Sequence, residues 1–187
     1  MIKALGSRIN LVGRNNILSD SFYACVEDLI ENDSVLKLDD YKQHMDISRY
    51  QHSINVSYYS FIICKRLNLD YVAAARGGLL HDLFFYSWQD EDFHRNYTSR
   101  GKAISYHMKN HPLVAFENAS KLTELSEIEK DIILKHMWPT TKRLPRFRET
   151  LIVSLVDKLS ALCEFCEFVG RYTGRFIMRK HILRQKI

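Results

Sequence analysis

Histidine and aspartate side chains in or beside apolar helical segments are the residues of this sequence that could do chemistry. His81 and Asp82 directly follow the apolar run 77–80, and an ionised carboxylate buried there without a partner would be costly. Four residues of the same kind occupy helix starts, helix ends or inward positions of separate predicted helices: His52, His111, His136 and Asp157.

Imidazole nitrogens and carboxylate oxygens that converge in a water-poor pocket are ligands for zinc, iron or manganese. Each residue alone is explained as well by a hydrogen-bonded core histidine, or by an aspartate paired with a neighbouring lysine. Their placement on separate helices favours a metal site, because helical bundles build metal centres from facing helices. The ligand types do not choose among the divalent metals.

The composition predicts an all-α fold in a single domain over residues 1–187. The chain is 46% hydrophobic and 26% charged, which is typical of globular proteins and excludes disordered, collagen-like and disulfide-framework classes. Only 7 Gly and 3 Pro are available for turns, so long helices with short connections are favoured over a β-sandwich.

Apolar periodicity and capping residues predict where the helices lie. Helices are predicted over 21–31, 49–67, 71–86, 112–122, 126–137 and 149–169, with an irregular segment over 87–106. Asp20 and Asp70 are the predicted N-caps of the first and third helices, and Pro112 opens the fourth. Ser126 and Glu129 are predicted to form a capping box at the start of the fifth. Five apolar residues of the last helix are predicted to face the core: Leu151, Leu155, Val156, Leu159 and Leu162. Gly77 and Gly78 inside a helix predict a very close packing contact.

The net charge of +5 comes from the end of the chain. Residues 168–187 hold six basic and no acidic side chains, which leaves about −1 for the rest. A basic amphipathic helix over 168–187 is predicted there, and nucleic-acid binding by this tail is the weaker interpretation. A helical tail rich in Phe and Tyr could also pack against another subunit.

The cysteines and the hydropathy pattern carry less functional information. Cys163 and Cys166 form a C-x-x-C inside a predicted helix without a second pair, which favours buried thiols over a redox or zinc motif. No apolar run approaches the roughly 20 residues of a membrane span, and the first 20 residues lack a signal-peptide core. We therefore expect a cytoplasmic protein without a membrane segment.

His52, the His81-Asp82 pair and Asp157, in this order over 106 residues, resemble the signature of the HD-domain metal-dependent phosphohydrolases. The resemblance covers about residues 49–162, and the stretch 73–82 is similar to bacterial HD hydrolases. His111 and His136 resemble the extra ligands of the branch that binds two metals. Such a resemblance implies a mostly helical HD-domain bundle and a divalent-metal cofactor, expected as two ions of iron, manganese or zinc.

The resemblance also implies which of these residues bind each metal. One metal is held by His52, His81, Asp82 and Asp157, while a second takes His111 and His136, with Asp82 bridging the two. A hydroxide held by the metals attacks phosphorus, so Asp82 is expected to act as ligand first and proton acceptor second.

Substrate phosphates call for cations beyond the metals. Lys158 directly follows Asp157 and is expected to take part in catalysis and substrate binding. The basic loop 142–148 lies between His136 and Asp157 in the sequence, and Arg143 and Arg146 are predicted phosphate contacts because guanidinium suits bidentate binding. Trp88 could stack on a base or pack at the edge of the core.

Several functions stay open at this point. The first is hydrolysis of a nucleotide-like phosphate ester or anhydride, with dinucleoside polyphosphates suggested by analogy. Leu83-Phe84-Phe85 stands where the cyclic-dinucleotide phosphodiesterases have Ile-Gly-Lys, which argues against that class. The alternatives are a mononuclear 5'-nucleotidase and a regulatory protein that binds metal and a phosphorylated ligand without turnover.

Overall fold

The computed structural model describes residues 3–5, 17–44 and 46–184, with side chains except at 17, 44 and 171–184. Over these residues the chain forms eight α-helices and one small antiparallel sheet, which confirms the predicted all-α fold. The helices are α1 Ile17–Ile30, α2 Asp33–Leu36, α3 Arg49–Arg66, α4 Tyr71–Leu80, α5 Glu91–Arg95, α6 Arg100–Leu122, α7 Glu127–Lys135 and α8 Arg148–Arg184, with a 3₁₀ turn at Lys37–Asp40 and strands β1 Lys42–His44 and β2 Ile47–Ser48.

Helix α3 is the centre of the bundle. It packs against α4 and α8, while α7 packs against α4, α6 and α8. The main core includes an aromatic cluster in which Phe22 meets Tyr58 and Phe61 edge-on, with ring centroids 5.3 and 5.6 Å apart. Apolar burial of this kind is the dominant favourable term in folding.

Side-chain caps fix where three helices begin. The Ser48 hydroxyl accepts from the Gln51 N–H. The Asp70 carboxylate accepts from the Ala73 N–H, which confirms the cap predicted at Asp70. Ser126 and Glu129 form the reciprocal capping box of α7. These caps place His52 in the first turn of α3, while His81 and His136 directly follow the last residues of α4 and α7.

The predicted close contact at Gly77-Gly78 is confirmed. A Cβ on Gly78 would lie 3.0 Å from Ser57 Cα, and one on Gly77 would lie 2.8 Å from Ile132 Cδ1. Backbone of α3 lies opposite Gly78, so relief there would require the two helices to separate. Glycine at 78 therefore sets the distance between α3 and α4.

We expect Gly78→Ala to lower the free energy of unfolding by about 1–3 kcal/mol, because the added methyl overpacks the α3–α4 contact. Urea denaturation of variant and parent measures this. Gly101→Ala is the matched control: nothing lies within 4 Å of its Cβ position in α6, so we expect stabilisation by about 0.5–1 kcal/mol. Equal stability of the Gly78→Ala protein and the parent would contradict the close contact.

Three predicted helix boundaries were wrong. Helix α1 begins at Ile17, so Asp20 lies in its first turn and does not cap it. Helix α4 ends at Leu80 and not at 86. Helix α6 begins at Arg100 and continues through Pro112, so this proline does not open it. An interior proline destabilises a helix, but the turns on both sides are held by burial of Ala103, Ala115 and Ala119. The segment 87–106 consequently contains α5 and the start of α6.

The prediction for the inward face of α8 was wrong for its four leucines and is confirmed for Val156, which is buried. Leu151, Leu155, Leu159 and Leu162 are exposed, and the buried face carries smaller or polar side chains such as Val153, Ser154 and Ser160. Polar partners and close helix packing, rather than leucine burial, decide which side of α8 faces the bundle. Cys163 and Cys166 are likewise exposed, against the predicted buried thiols.

The end of the chain is part of the same helix. Helix α8 runs without a break to Arg184, where a separate basic helix over 168–187 was predicted. The side chains of residues 171–184 and all of 185–187 lie outside the described residues. None of the helices in the described parts of the chain is both long and apolar enough to span a membrane.

Candidate metal centre

The six predicted metal ligands converge in one place. His52 comes from the first turn of α3, His111 from α6 and Asp157 from α8, while His81-Asp82 and His136 follow α4 and α7. Their donor atoms form two groups of three, His52 with His81 and Asp157, and Asp82 with His111 and His136. Within each group the donor atoms lie within 4.8 Å of one another.

Three of the histidines are oriented by backbone carbonyls. His81 Nδ1 donates to the Gly78 carbonyl at 2.7 Å, His111 Nδ1 to the His107 carbonyl at 2.9 Å, and His136 Nδ1 to the Ile133 carbonyl at 2.9 Å. A carbonyl oxygen only accepts, so each Nδ1 carries a hydrogen and the Nε2 of each ring is the atom that faces the donor groups. This arrangement is typical of metal-binding histidines.

The arrangement of lone pairs in the second group calls for a cation. His111 Nε2 and His136 Nε2 are 2.9 Å apart, and Asp82 Oδ1 lies 3.3 and 3.6 Å from them. Two lone pairs and a carboxylate at these distances repel unless a proton or a metal ion neutralises them. Asp82 Oδ1 is buried without a hydrogen-bond partner among the described residues, so the donor set fits a divalent cation.

The first group lies next to Asp82 of the second group. His52 Nε2 lies 3.0 Å from Asp157 Oδ1, and His81 Nε2 lies 3.8 Å from the same oxygen. His81 Nε2 is also 3.5 Å from Asp82 Oδ2, and it too is buried without a hydrogen-bond partner in the described chain. The two oxygens of Asp82 therefore face different groups, so this carboxylate could contact a cation held by either group.

The charges of these side chains are set by their neighbours. Burial alone would raise the pKa of Asp82, but the histidines around it, His81 first, hold that pKa well below its usual value. Burial and the adjacent His81 and His111 lower the pKa of His136 to about 3. Asp82 is thus ionised and His136 neutral near pH 7, the forms that bind metal ions.

His52 differs because carboxylates flank both of its nitrogens. Burial alone would lower its pKa, but hydrogen bonds to Asp157 and Glu164 outweigh burial and raise that pKa to about 10. A divalent cation at Nε2 would take the place of the proton there.

Glu164 is a functional residue that the sequence analysis missed. Its carboxylate is fully buried, lies 3.0 and 3.1 Å from His52 Nδ1, and accepts from Asn55 Nδ2 at 2.7 Å. It therefore orients His52 as the backbone carbonyls orient the other three histidines. A spacing of seven residues from Asp157, two turns along one face of α8, is the sequence signal that could have found it.

We expect Glu164→Gln to weaken metal binding about 10–100-fold, because the amide interacts less strongly with His52 Nδ1 than the carboxylate does. Competition with a chromogenic chelator measures the affinity. Glu167→Gln changes an exposed glutamate one turn further along α8 and should leave affinity unchanged. Unchanged affinity in Glu164→Gln as well would show that Glu164 is only a structural partner.

Gln43 and Arg49 support Asp82 from the opposite side. Gln43 donates to Asp82 Oδ2 and accepts from Arg49 Nε at 2.8 Å. The Arg49 guanidinium is completely buried, donates to the Phe84 carbonyl at 2.6 Å, and lies 3.6 Å from the Phe84 ring centroid. Burial lowers the pKa of Arg49 to about 10, so it remains a cation behind the site.

A pocket of about 280 Å³ opens onto the metal centre. Its polar wall includes Asp82, Asp157 and Lys158, and its apolar wall includes Trp88 and Met108. The Lys158 ammonium lies 3.7 Å from Asp157 Oδ2 and donates to the His136 carbonyl, the Ser154 carbonyl and the Ser154 hydroxyl. Burial lowers the pKa of Lys158, and the charge of Asp157 opposes that shift.

The other residues considered for the substrate lie in different places. Trp88 lines the pocket and stacks on His107, with ring centroids 4.9 Å apart. His107 lines the pocket too, but it belongs to neither group of metal donors. Arg143 and Arg146 are exposed and do not line this pocket. Their contact with substrate remains a prediction.

Comparison with known proteins agrees with the pattern of ligands. The model of the HD domain family matches residues 49–162, a span that contains all six predicted ligands. Searches of curated proteins and of solved structures gave no match. The matched span is more than half of the chain and coincides with the helices that carry the site, so the chain belongs to the HD-domain family.

Proposed function

We propose that the protein is a metal-dependent phosphohydrolase that holds two divalent cations and cleaves a phosphate ester or anhydride of a nucleotide-like small molecule. The observation that carries this proposal is Asp82, whose two oxygens face separate groups of buried nitrogen and oxygen donors. Cations bound there would act as Lewis acids toward a phosphoryl oxygen and lower the pKa of water.

The protein side chains have distinct parts in this reaction. The two groups hold the cations, with His111 and His136 in one and His52 and His81 in the other. Asp82 joins the groups and fixes their spacing, while Gln43 and Arg49 hold Asp82 in its rotamer. The buried cation of Arg49 also offsets part of the negative charge of the site.

Lys158 contributes positive charge at the pocket wall. Its three hydrogens already bond to the His136 carbonyl and to the carbonyl and hydroxyl of Ser154. A phosphate must therefore either replace one of these acceptors or interact with the ammonium charge without a hydrogen bond. In both cases the charge attracts the phosphate toward the metal centre.

The opposite wall suits the organic part of the substrate. Trp88 is held by its stack on His107, and Ile104, Met108 and Met137 complete an apolar surface. A rigid indole next to flexible thioethers can accept a flat base. The cavity is at the small end of the range for ligand pockets, which favours a substrate the size of a mononucleotide or the end group of a longer one.

The test is to purify the protein without chelator, measure the metal content of each chain by elemental analysis, and assay hydrolysis. The panel contains p-nitrophenyl phosphate, nucleoside mono-, di- and triphosphates, and dinucleoside polyphosphates. His94→Ala is the matched control, since His94 lies in α5 and belongs to neither donor group.

We expect about two ions per chain, hydrolysis of at least one phosphate compound, and no change in the His94→Ala protein. About one ion per chain with nucleotidase activity would replace the binuclear proposal with a mononuclear nucleotidase. Metal binding without turnover after manganese, iron and zinc are supplied would indicate a regulatory protein and overturn the proposed enzyme activity.

A further inference from the structure

An exposed apolar stripe runs along α8, on residues that the metal site does not use. Leu155, Leu159 and Leu162 are 54%, 58% and 57% exposed. The stripe repeats with the 3–4 spacing of a heptad, and both of its positions are apolar or cysteine throughout. The first position holds Leu159 and Cys166, and the second holds Leu155, Leu162 and Val169. Ile152 continues the first position toward the start of α8, where it is partly buried against the core.

This α8 stripe lies opposite the face that packs on the bundle. The bundle face carries Val153, Ser160 and Glu164, all buried, and at 100° per residue these positions are about half a turn away from Leu155 and Leu162. No helix of the described chain covers the leucines of the stripe, which are more than half exposed. A partner lying along the stripe would therefore leave the bundle, and the metal site within it, undisturbed.

The exposed apolar area of the α8 stripe is large enough for a protein interface. Its leucines, with Phe165 and Val169, present on the order of 500 Å² of apolar surface, which is near the upper end for a monomer. A standard interface buries about 800 Å² per partner. Two copies of the described surface would bury on the order of 1,000 Å² in total, about the least expected of a specific interface.

The pattern of the stripe indicates a second copy of this chain. A heptad seam is self-complementary, because the same knobs and holes recur on an identical helix around a two-fold axis. No charged residue occupies either seam position from Ile152 to Val169, so pairing like with like buries no charge. The one lysine beside the seam, Lys158, is already bonded to His136 and Ser154.

We propose that α8 pairs with the α8 of a second copy of this chain through the α8 stripe, making the protein a homodimer. Each helix would cover the exposed leucines of the other.

The test is the molar mass of the full chain in solution, by light scattering and by sedimentation over a wide range of concentration. The stripe variant is Leu155→Glu with Leu162→Glu, two exposed positions that do not line the metal pocket. Leu144→Glu is the matched control, an exposed leucine in the loop before α8. Circular dichroism confirms that each protein is folded.

We expect a dimer for the parent and for Leu144→Glu, and a folded monomer for the stripe variant, with at least a tenfold rise in the dissociation constant. A parent that stays monomeric at all concentrations would overturn the proposal and leave the stripe to another part of this chain or to a different protein. A stripe variant that remains dimeric would overturn it as well, since another surface would then form the dimer.

Discussion

Replacing Asp82 with asparagine is expected to remove most of the bound metal and to lower the rate of hydrolysis by about 10³-fold or more. The amide has nearly the shape of the carboxylate but carries no charge, so neither donor group keeps its shared anion. A loss of several kcal/mol of stabilisation in the transition state corresponds to this factor. Elemental analysis and steady-state kinetics of the purified variant measure both effects.

The Asp82 result needs a charge-matched comparison. Asp92→Asn removes an aspartate that is exposed on α5 and paired with Arg95, so metal content and rate should stay at the parental values. An Asp82→Asn protein that keeps its metal and its rate would contradict the bridging role. Loss of both together with loss of folding would be seen by circular dichroism, and Asp82→Glu then serves as the second variant.

The second large effect is expected from His111→Ala combined with His136→Ala. Their facing nitrogens belong to one donor group, so the double variant should fall from about two ions per chain to about one. The remaining ion would be held by His52, His81 and Asp157. Hydrolysis should fall by about 10²–10³-fold, because one Lewis acid can no longer neutralise both sides of the phosphoryl group.

The ratio of ions separates this result from simple unfolding. A folded double variant that binds one ion supports two independent donor groups, whereas a variant that still binds two ions shows that these histidines are not ligands. The pair His94→Ala and His107→Ala provides the comparison, since neither ring belongs to a donor group. Only His107 lines the pocket, so a change of KM alone would fit its position.

The sequence was sufficient to predict the fold class and the convergence of six residues. Helix caps at Ser126 and Asp70 are local signals, and they placed the starts of α7 and α4 correctly. The order of histidines and aspartates pointed to a family whose model matches 49–162. Both signals depend on residue type and spacing, which the sequence contains directly.

Other features depend on packing that spacing alone does not encode. Helix α8 has leucines on one face and valines and serines on the other, and both patterns repeat at helical intervals. The buried face of α8 is the one that carries Glu164 and Asp157, whose hydrogen bonds to His52 connect α8 to α3. The leucines on the other face are exposed. Gln43 was missed for a similar reason, since its role rests on contacts 6 and 39 residues away.

The four histidines differ in the sequence separation between each ring and the residue that bonds to its Nδ1. His81, His111 and His136 each take their orientation from a carbonyl three or four residues earlier, so those rings are set as soon as their own helical turn forms. His52 depends on Glu164, which is 112 residues later. Contacts of such long separation form late in folding because closing the loop between them is entropically costly. We therefore expect docking of α8 to complete the site, after the helical turns that orient the other three imidazoles have formed.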